Sequence, residues 1–164
     1  MPKNHAMNWI IKNTKKLRSH TQLINLLTND WIDIDNYNWF LSDLDVVNYA
    51  DYEGNVLPIN FMDNYHLPTN ENFKIIVDSG LQVIWGVISA VNKQEKPNFN
   101  DAQIPFVEGN DMIWNSNYFQ VSNSVVEITA WDSSYTIVKF KDEKLSNRFQ
   151  LYFTEAIPLE KYKF

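Results

Sequence analysis

The chain has 164 residues and a mass of 19.3 kDa, the size of one domain. Its 45% hydrophobic and 15% aromatic content supplies a packed core and excludes disorder throughout. With no cysteine and a net charge of -6, disulfide scaffolds, thiolate metal sites, iron–sulfur clusters and cysteine nucleophiles are excluded together.

The elements are taken in chain order. Residues 14 to 28 read as a helix, because Leu17, Leu23, Ile24 and Leu27 form one apolar stripe near a period of 3.6. Residues 37 to 47 alternate as a strand, and Asp51 to Asn55 reads as a turn. A piece from 56 to 62 with Pro58 inside is predicted to be an edge or irregular strand, since proline cannot donate to a ladder. Residues 73 to 77 read as a short β-branched strand closed by Asp78-Ser79-Gly80. The most apolar stretch, 81 to 91, is the candidate central strand. A helix is the alternative there, and Gly86 with the Val and Ile content argues against it.

Residues 92 to 103 form a polar connection, and 104 to 123 carry an aromatic patch of Trp114, Tyr118 and Phe119 without clear periodicity. VVEITAW and YTIVKFK around Asp132-Ser133-Ser134 predict a hairpin, with Val126, Ile128 and Ala130 facing the core. Asp142 then caps a helix whose stripe is Leu145, Phe149 and Tyr152/Phe153. The expectation is a single α+β domain over 1–164: an N-terminal helix, a largely antiparallel sheet, and a C-terminal hairpin followed by a closing helix.

The N-terminal segment has no apolar run of signal-peptide length, and nothing in the chain is apolar enough for a bilayer. A cytoplasmic protein is expected, with no membrane among its partners. Asparagine at about one residue in eight, with Ile and Lys, draws on AT-rich codons and points to a low-GC bacterial genome.

Charge is unevenly distributed. Lys3, Lys12, Lys15, Lys16 and Arg18 give the first eighteen residues five positive charges and no negative one. From Ser19 through Phe73 there is no Lys or Arg, while carboxylates are frequent. Within that stretch Asp33, Asp35, Asp43, Asp45, Asp51 and Glu53 interleave with Tyr37 and Trp39. The bland account is a solvated acidic surface. The sharper one is an electronegative face with aromatic anchors for a basic protein partner. The same carboxylates repel a phosphate backbone, so no nucleic acid is expected on this face.

Chemistry-bearing motifs are absent. His5, His20 and His66 have no metal-ligand spacing, four scattered glycines form no phosphate loop, and Asp132-Ser133-Ser134 suits a hairpin tip better than a nucleophile elbow. The pairs Asp33/Asp35 and Asp43/Asp45 would share a face on a strand but lack the context of a calcium loop. No catalytic residue, metal or cofactor is expected. Trp85, Trp131, Phe149 and Phe153 read as packing, and Trp31, Trp39, Trp114 and Tyr118 as the aromatics among polar neighbours.

The C-terminal third, VVEITAWDSSYTIVKFKDEKLSNRFQLYFTEAIPLEKY, resembles the ending of small bacterial immunity proteins found beside polymorphic or contact-dependent toxins. The resemblance covers about forty residues and consists of the hairpin and the capped helix. It implies a protein that binds and neutralises one cognate toxin, often a basic nuclease, and it carries over no site residues. The predicted partner surface is Asp33, Asp35, Tyr37, Trp39, Asp43, Asp45, Asp51 and Glu53. The alternative is a small-molecule-binding or enzymatic domain with its pocket near Trp85 and Trp114.

Overall fold

The computed structural model describes residues 7–15, 17–47 and 57–162. Among the described residues seven strands form one antiparallel sheet: β1 (Trp9–Ile11), β2 (Tyr37–Val47), β3 (Tyr65–His66), β4 (Gln82–Asn92), β5 (Val126–Trp131), β6 (Tyr135–Phe140) and β7 (Ile157–Pro158). Their order across the sheet is β3-β2-β4-β5-β6-β1-β7. Three helices, α1 (Leu23–Leu27), α2 (Asn70–Asp78) and α3 (Glu143–Tyr152), complete an α+β architecture.

The apolar stretch 81–91 is the long inner strand its composition predicts. β4 pairs with β2 on one side and β5 on the other, and most of it is buried. A β-carbon at Gly86 would stand 2.9 Å from Leu44 and from Val83, so only glycine lets these side chains close over the strand there. The hairpin also forms as read, with Val126 opposite Phe140 and Trp131 opposite Tyr135. Asp132 and Ser133 both have positive φ, at 48° and 57°, and the Ser134 amide donates to the Trp131 carbonyl. Those dihedrals give the turn the right-handed twist of the strands it joins. Asp142 caps α3 by accepting from the Lys144 and Leu145 amides.

Three expectations are corrected. The helix predicted over 14–28 shrinks to α1, because the preceding residues are drawn into the sheet margin. Gln22 bridges Gln82, the Val83 amide donates to the Thr21 carbonyl, and the buried His20 ring meets the Thr136 hydroxyl at 2.7 Å. Residues 73–77 are helical and not extended. The Thr69 hydroxyl accepts from the Asn72 amide, Glu71 lies in the first turn, and Phe73, Ile76 and Val77 at i, i+3, i+4 bury one face. Gly80, with φ at 72°, follows this helix and turns the chain into β4. Residues 57–62 form no strand, and the edge of the sheet is the shorter β3 beyond them. The turn read at Asp51 to Asn55 lies outside the described residues.

Both faces of the sheet are covered. Trp39, Leu41, Ile88, Ala90, Val126, Ile128 and Val138 pack under the helices with Trp31, Phe73, Ile76 and Phe149. Trp31 meets Phe149 edge-on at 5.0 Å and Phe140 at 5.8 Å. The opposite face is covered by the irregular chain of 93–125, which seats Val107, Ile113 and Val121 on it.

Candidate functional site

Strand β2 decides where the predicted acidic surface lies, and it divides that surface in two. From Tyr37 to Asp45 is eight residue steps, about 26 Å at a strand rise of about 3.3 Å. Asp33 and Asp35 sit in a 3-10 turn at one end, where the Asp33 carboxylate accepts from the Asp35 amide. Asp33 there lines a shallow cleft with Asp30, Asp78, Lys74 and Arg148, so the charge at that end is mixed. Tyr37 is half-buried beside it. Burial pushes its hydroxyl pKa up, Asp142 and Asp33 push the same way, and Arg148 opposes them.

Trp39 is no surface anchor. It is 1% exposed, stacks on Phe73 at 4.3 Å and donates its ring N–H to the Ile34 carbonyl. Trp31, at 2% exposure, is likewise core. Asp51 and Glu53 lie outside the described residues.

Asp43 and Asp45 occupy the far end, at a bulge. The register shifts after Ser42, and Asp43 takes φ of 53°, a left-handed conformation that aspartate tolerates. The bulge breaks the alternation that would have placed both side chains on one strand face by spacing alone. The Asp43 carboxylate accepts from the Val107 amide at 2.8 Å, tying the 93–125 cover to β2. Asp45 stays exposed and stands opposite Trp85 on β4.

Trp85 opens a cluster of half-buried rings at this end of the sheet. It meets Trp131 edge-on at 5.9 Å, and Trp114 meets the same ring at 5.6 Å. Tyr135 stacks on Trp131 at 5.6 Å, and the Tyr135 and Tyr162 hydroxyls are 2.5 Å apart. Met112, 44% exposed, stands two residues from Trp114 in a 3-10 turn. Around the rings the chain supplies the exposed carboxylates Asp45, Glu108, Asp111 and Asp132.

Sequence reasoning brings Trp85 and Trp114 together only in its alternative, as a pocket, and does not read the assembly as a partner surface. It places Trp85 and Trp131 in the core because they sit in apolar strands. The available signal was a second Lys- and Arg-free stretch, from 97 through 138, which the pairing of β2, β4 and β5 sets beside the first. In the chain, Lys161 and Lys163 flank Tyr162.

Between this cluster and the Phe40, Val91, Val121 cluster, the loop-covered face carries a row of buried polar side chains, one from each of four neighbouring strands or their margins. Ser89 pairs with Glu127, and Glu127 with Lys139; Asn8 follows on the β1 side. All four are buried. Glu127 accepts from the Ser89 hydroxyl and from the Gln120 and Val121 amides, at 2.9–3.0 Å. Lys139 donates to the Asn115 and Tyr118 carbonyls, and Asn8 to the Ser116 carbonyl. Burial pushes the Glu127 pKa up against those donors and against Lys139. Burial also pulls Lys139 down to about 8, with Glu127 opposing. These groups hold the cover in place, and every one of them has a partner.

The His66 pKa is drawn down by burial, with Asp63 pulling the other way. Among the described residues, no three His, Asp or Glu side chains gather so as to hold a metal ion. Among them also, no helix is long and apolar enough to cross a membrane. No family model matches this chain, and no curated protein or solved structure matches it.

Proposed function

We propose that this chain is an immunity-type binding protein of the bacterial cytoplasm, which neutralises a cognate toxin by covering a basic surface of it. The observation that supports this is the far end of the sheet. There Trp85, Trp114, Trp131, Tyr135 and Tyr162 stay half-exposed beside Asp45, Asp111 and Asp132. Trp and Tyr carry most of the energy in protein interfaces, and a rim of one charge sign steers an oppositely charged partner.

This reading keeps the acidic, aromatic character of the predicted surface but changes its members. Asp43 and Asp45 remain, Trp85, Trp114 and Trp131 take the place of Tyr37 and Trp39, and Asp33 and Asp35 fall at the opposite end. No observation favours the small-molecule alternative at Trp85 and Trp114. The Trp131 ring meets both of those side chains edge-on.

Affinity capture of the cognate toxin from the host, followed by titration of the purified pair, tests the assignment. Trp131→Ala is expected to weaken binding by at least tenfold, the loss of a hot-spot residue. Asp45→Lys should slow association and flatten its salt dependence. Asp45 is the residue to reverse, because the Asp43 carboxylate also holds the Val107 amide. Binding unchanged in both variants, with thermal unfolding intact, would move the interface away from this end.

A further inference from the structure

A cleft of about 380 Å³ opens between the end of β1, the chain leading into α1 and the chain leaving α3. It shares no residue with the aromatic end of the sheet. Leu17, Ile24 and Phe153 give it apolar walls, and Leu17 and Phe153 are themselves buried. Its rim carries Lys12, Lys15 and Arg18, all exposed. Glu155 is the one carboxylate that lines it.

The combination is unusual for this molecule. The protein carries a net charge of -6, yet three of its cations gather on one hollow of mixed polar and apolar lining. Among the described residues none of the three makes an ion pair or a side-chain hydrogen bond. Like charges held together repel one another, and an anion entering the hollow removes that repulsion. The Arg18 fork suits the two oxygens of a carboxylate or phosphate, and the lysines add point charge. A concave site with an apolar patch and a few convergent charged groups suits a small molecule, and this volume is at the small end of the usual range, roughly 300–1,000 Å³.

We propose that this cleft binds an amphiphilic anion: a small molecule with a single carboxylate or phosphate head held by Lys12, Lys15 and Arg18, and an unbranched apolar body against Ile24 and Phe153. The head supplies negative charge beyond the single Glu155, and the body lies along the apolar part of the lining, where Ile24 is partly exposed.

Isothermal titration of the full chain with decanoate, decyl phosphate, decanol and decyltrimethylammonium tests the proposal. Saturable one-to-one binding is expected for an anion, and decanol should bind at least about tenfold more weakly, since a charged hydrogen bond is lost. The cationic probe should not bind. The two anions, compared, tell which head the rim prefers. The double variant Lys12→Glu, Arg18→Glu should lose at least about tenfold in affinity, and Arg18→Lys should lose less than that, since it keeps the charge and gives up only the fork. Both sites are exposed, so circular dichroism should show the fold unchanged. Ile24→Trp, which fills the hollow, should abolish binding. The proposal is overturned by no saturable binding of either anion, by equal affinity for decanol, or by unchanged affinity in the double charge reversal.

Discussion

On one face of the sheet the cover is helical, and its contact with the strands is apolar: Trp31, Phe73, Ile76 and Phe149 against Trp39, Ile88, Ile128 and Phe140. On the other face the cover is the irregular chain of 93–125. There the strands present Ser89, Glu127 and Lys139 along with their aliphatic side chains. A helix satisfies its own backbone groups and needs only an apolar surface to rest on. An irregular segment does not, so buried amides and carbonyls at 115–121 must find partners on the sheet. The buried polar row meets that demand, and it explains why two charged residues lie at 2% exposure in the middle of a sheet.

The contrast predicts where each face is fragile. The largest effect is expected from Phe149→Ala under the helices, at about 4 kcal/mol for an aromatic truncation that leaves a cavity. The loss should appear as one cooperative shift of the whole urea transition. Lys139→Met comes next, at about 3 kcal/mol, because it leaves Glu127 buried without its countercharge and two carbonyls without a donor. Its signature is local: amide exchange at Gln120 and Val121 should quicken before the strands are affected. Adding Glu127→Gln should cost less than the two single losses summed, since the two sites share a network. Equal loss of protection across all strands in Lys139→Met would break the distinction between the faces.

The smallest effect concerns His20, the buried titratable group beneath β6 on the helical face. Burial lowers its pKa below the usual 6.5, against a hydrogen bond to the Ser133 backbone. The unfolded chain therefore takes up the proton first as the pH falls, and stability drops below about pH 6.5. The slope is at most about 1.4 kcal/mol per pH unit. Above pH 6.5 this contribution is flat. His20→Gln should remove that part of the acid slope in thermal or urea unfolding between about pH 6.5 and 5. A slope identical to the parent protein's would show that folding leaves the imidazole's proton affinity unchanged.

The acidic surface shows the limits of linear reading in a particular way. Asp43 and Asp45 are identified correctly as residues of one neighbourhood, because they are adjacent on one strand. Asp33 and Asp35 are close in sequence to them and far in space, because an extended chain moves about 3.3 Å per residue. Trp39 looks exposed among polar neighbours in sequence, yet it stacks on Phe73 of a helix that reads as a strand. That misreading has a physical origin: Ile75, Ile76 and Val77 have high β-propensity, and tertiary packing of the Phe73, Ile76, Val77 face overrode it.

By itself the sequence determined the features whose causes are local. The hairpin follows from alternation and its turn, α3 from Asp142 and a spaced apolar stripe, and the inner position of β4 from its continuous apolar run. It also determined that cations would be missing from two long stretches. The tertiary structure alone decided that β2, β4 and β5 would set those stretches side by side. It also decided that Trp85, Trp114 and Trp131 would meet there, and that Glu127 and Lys139 would be buried under an irregular cover. Strand order and the covering of a face depend on which distant segments pair, and neither periodicity nor composition records that pairing.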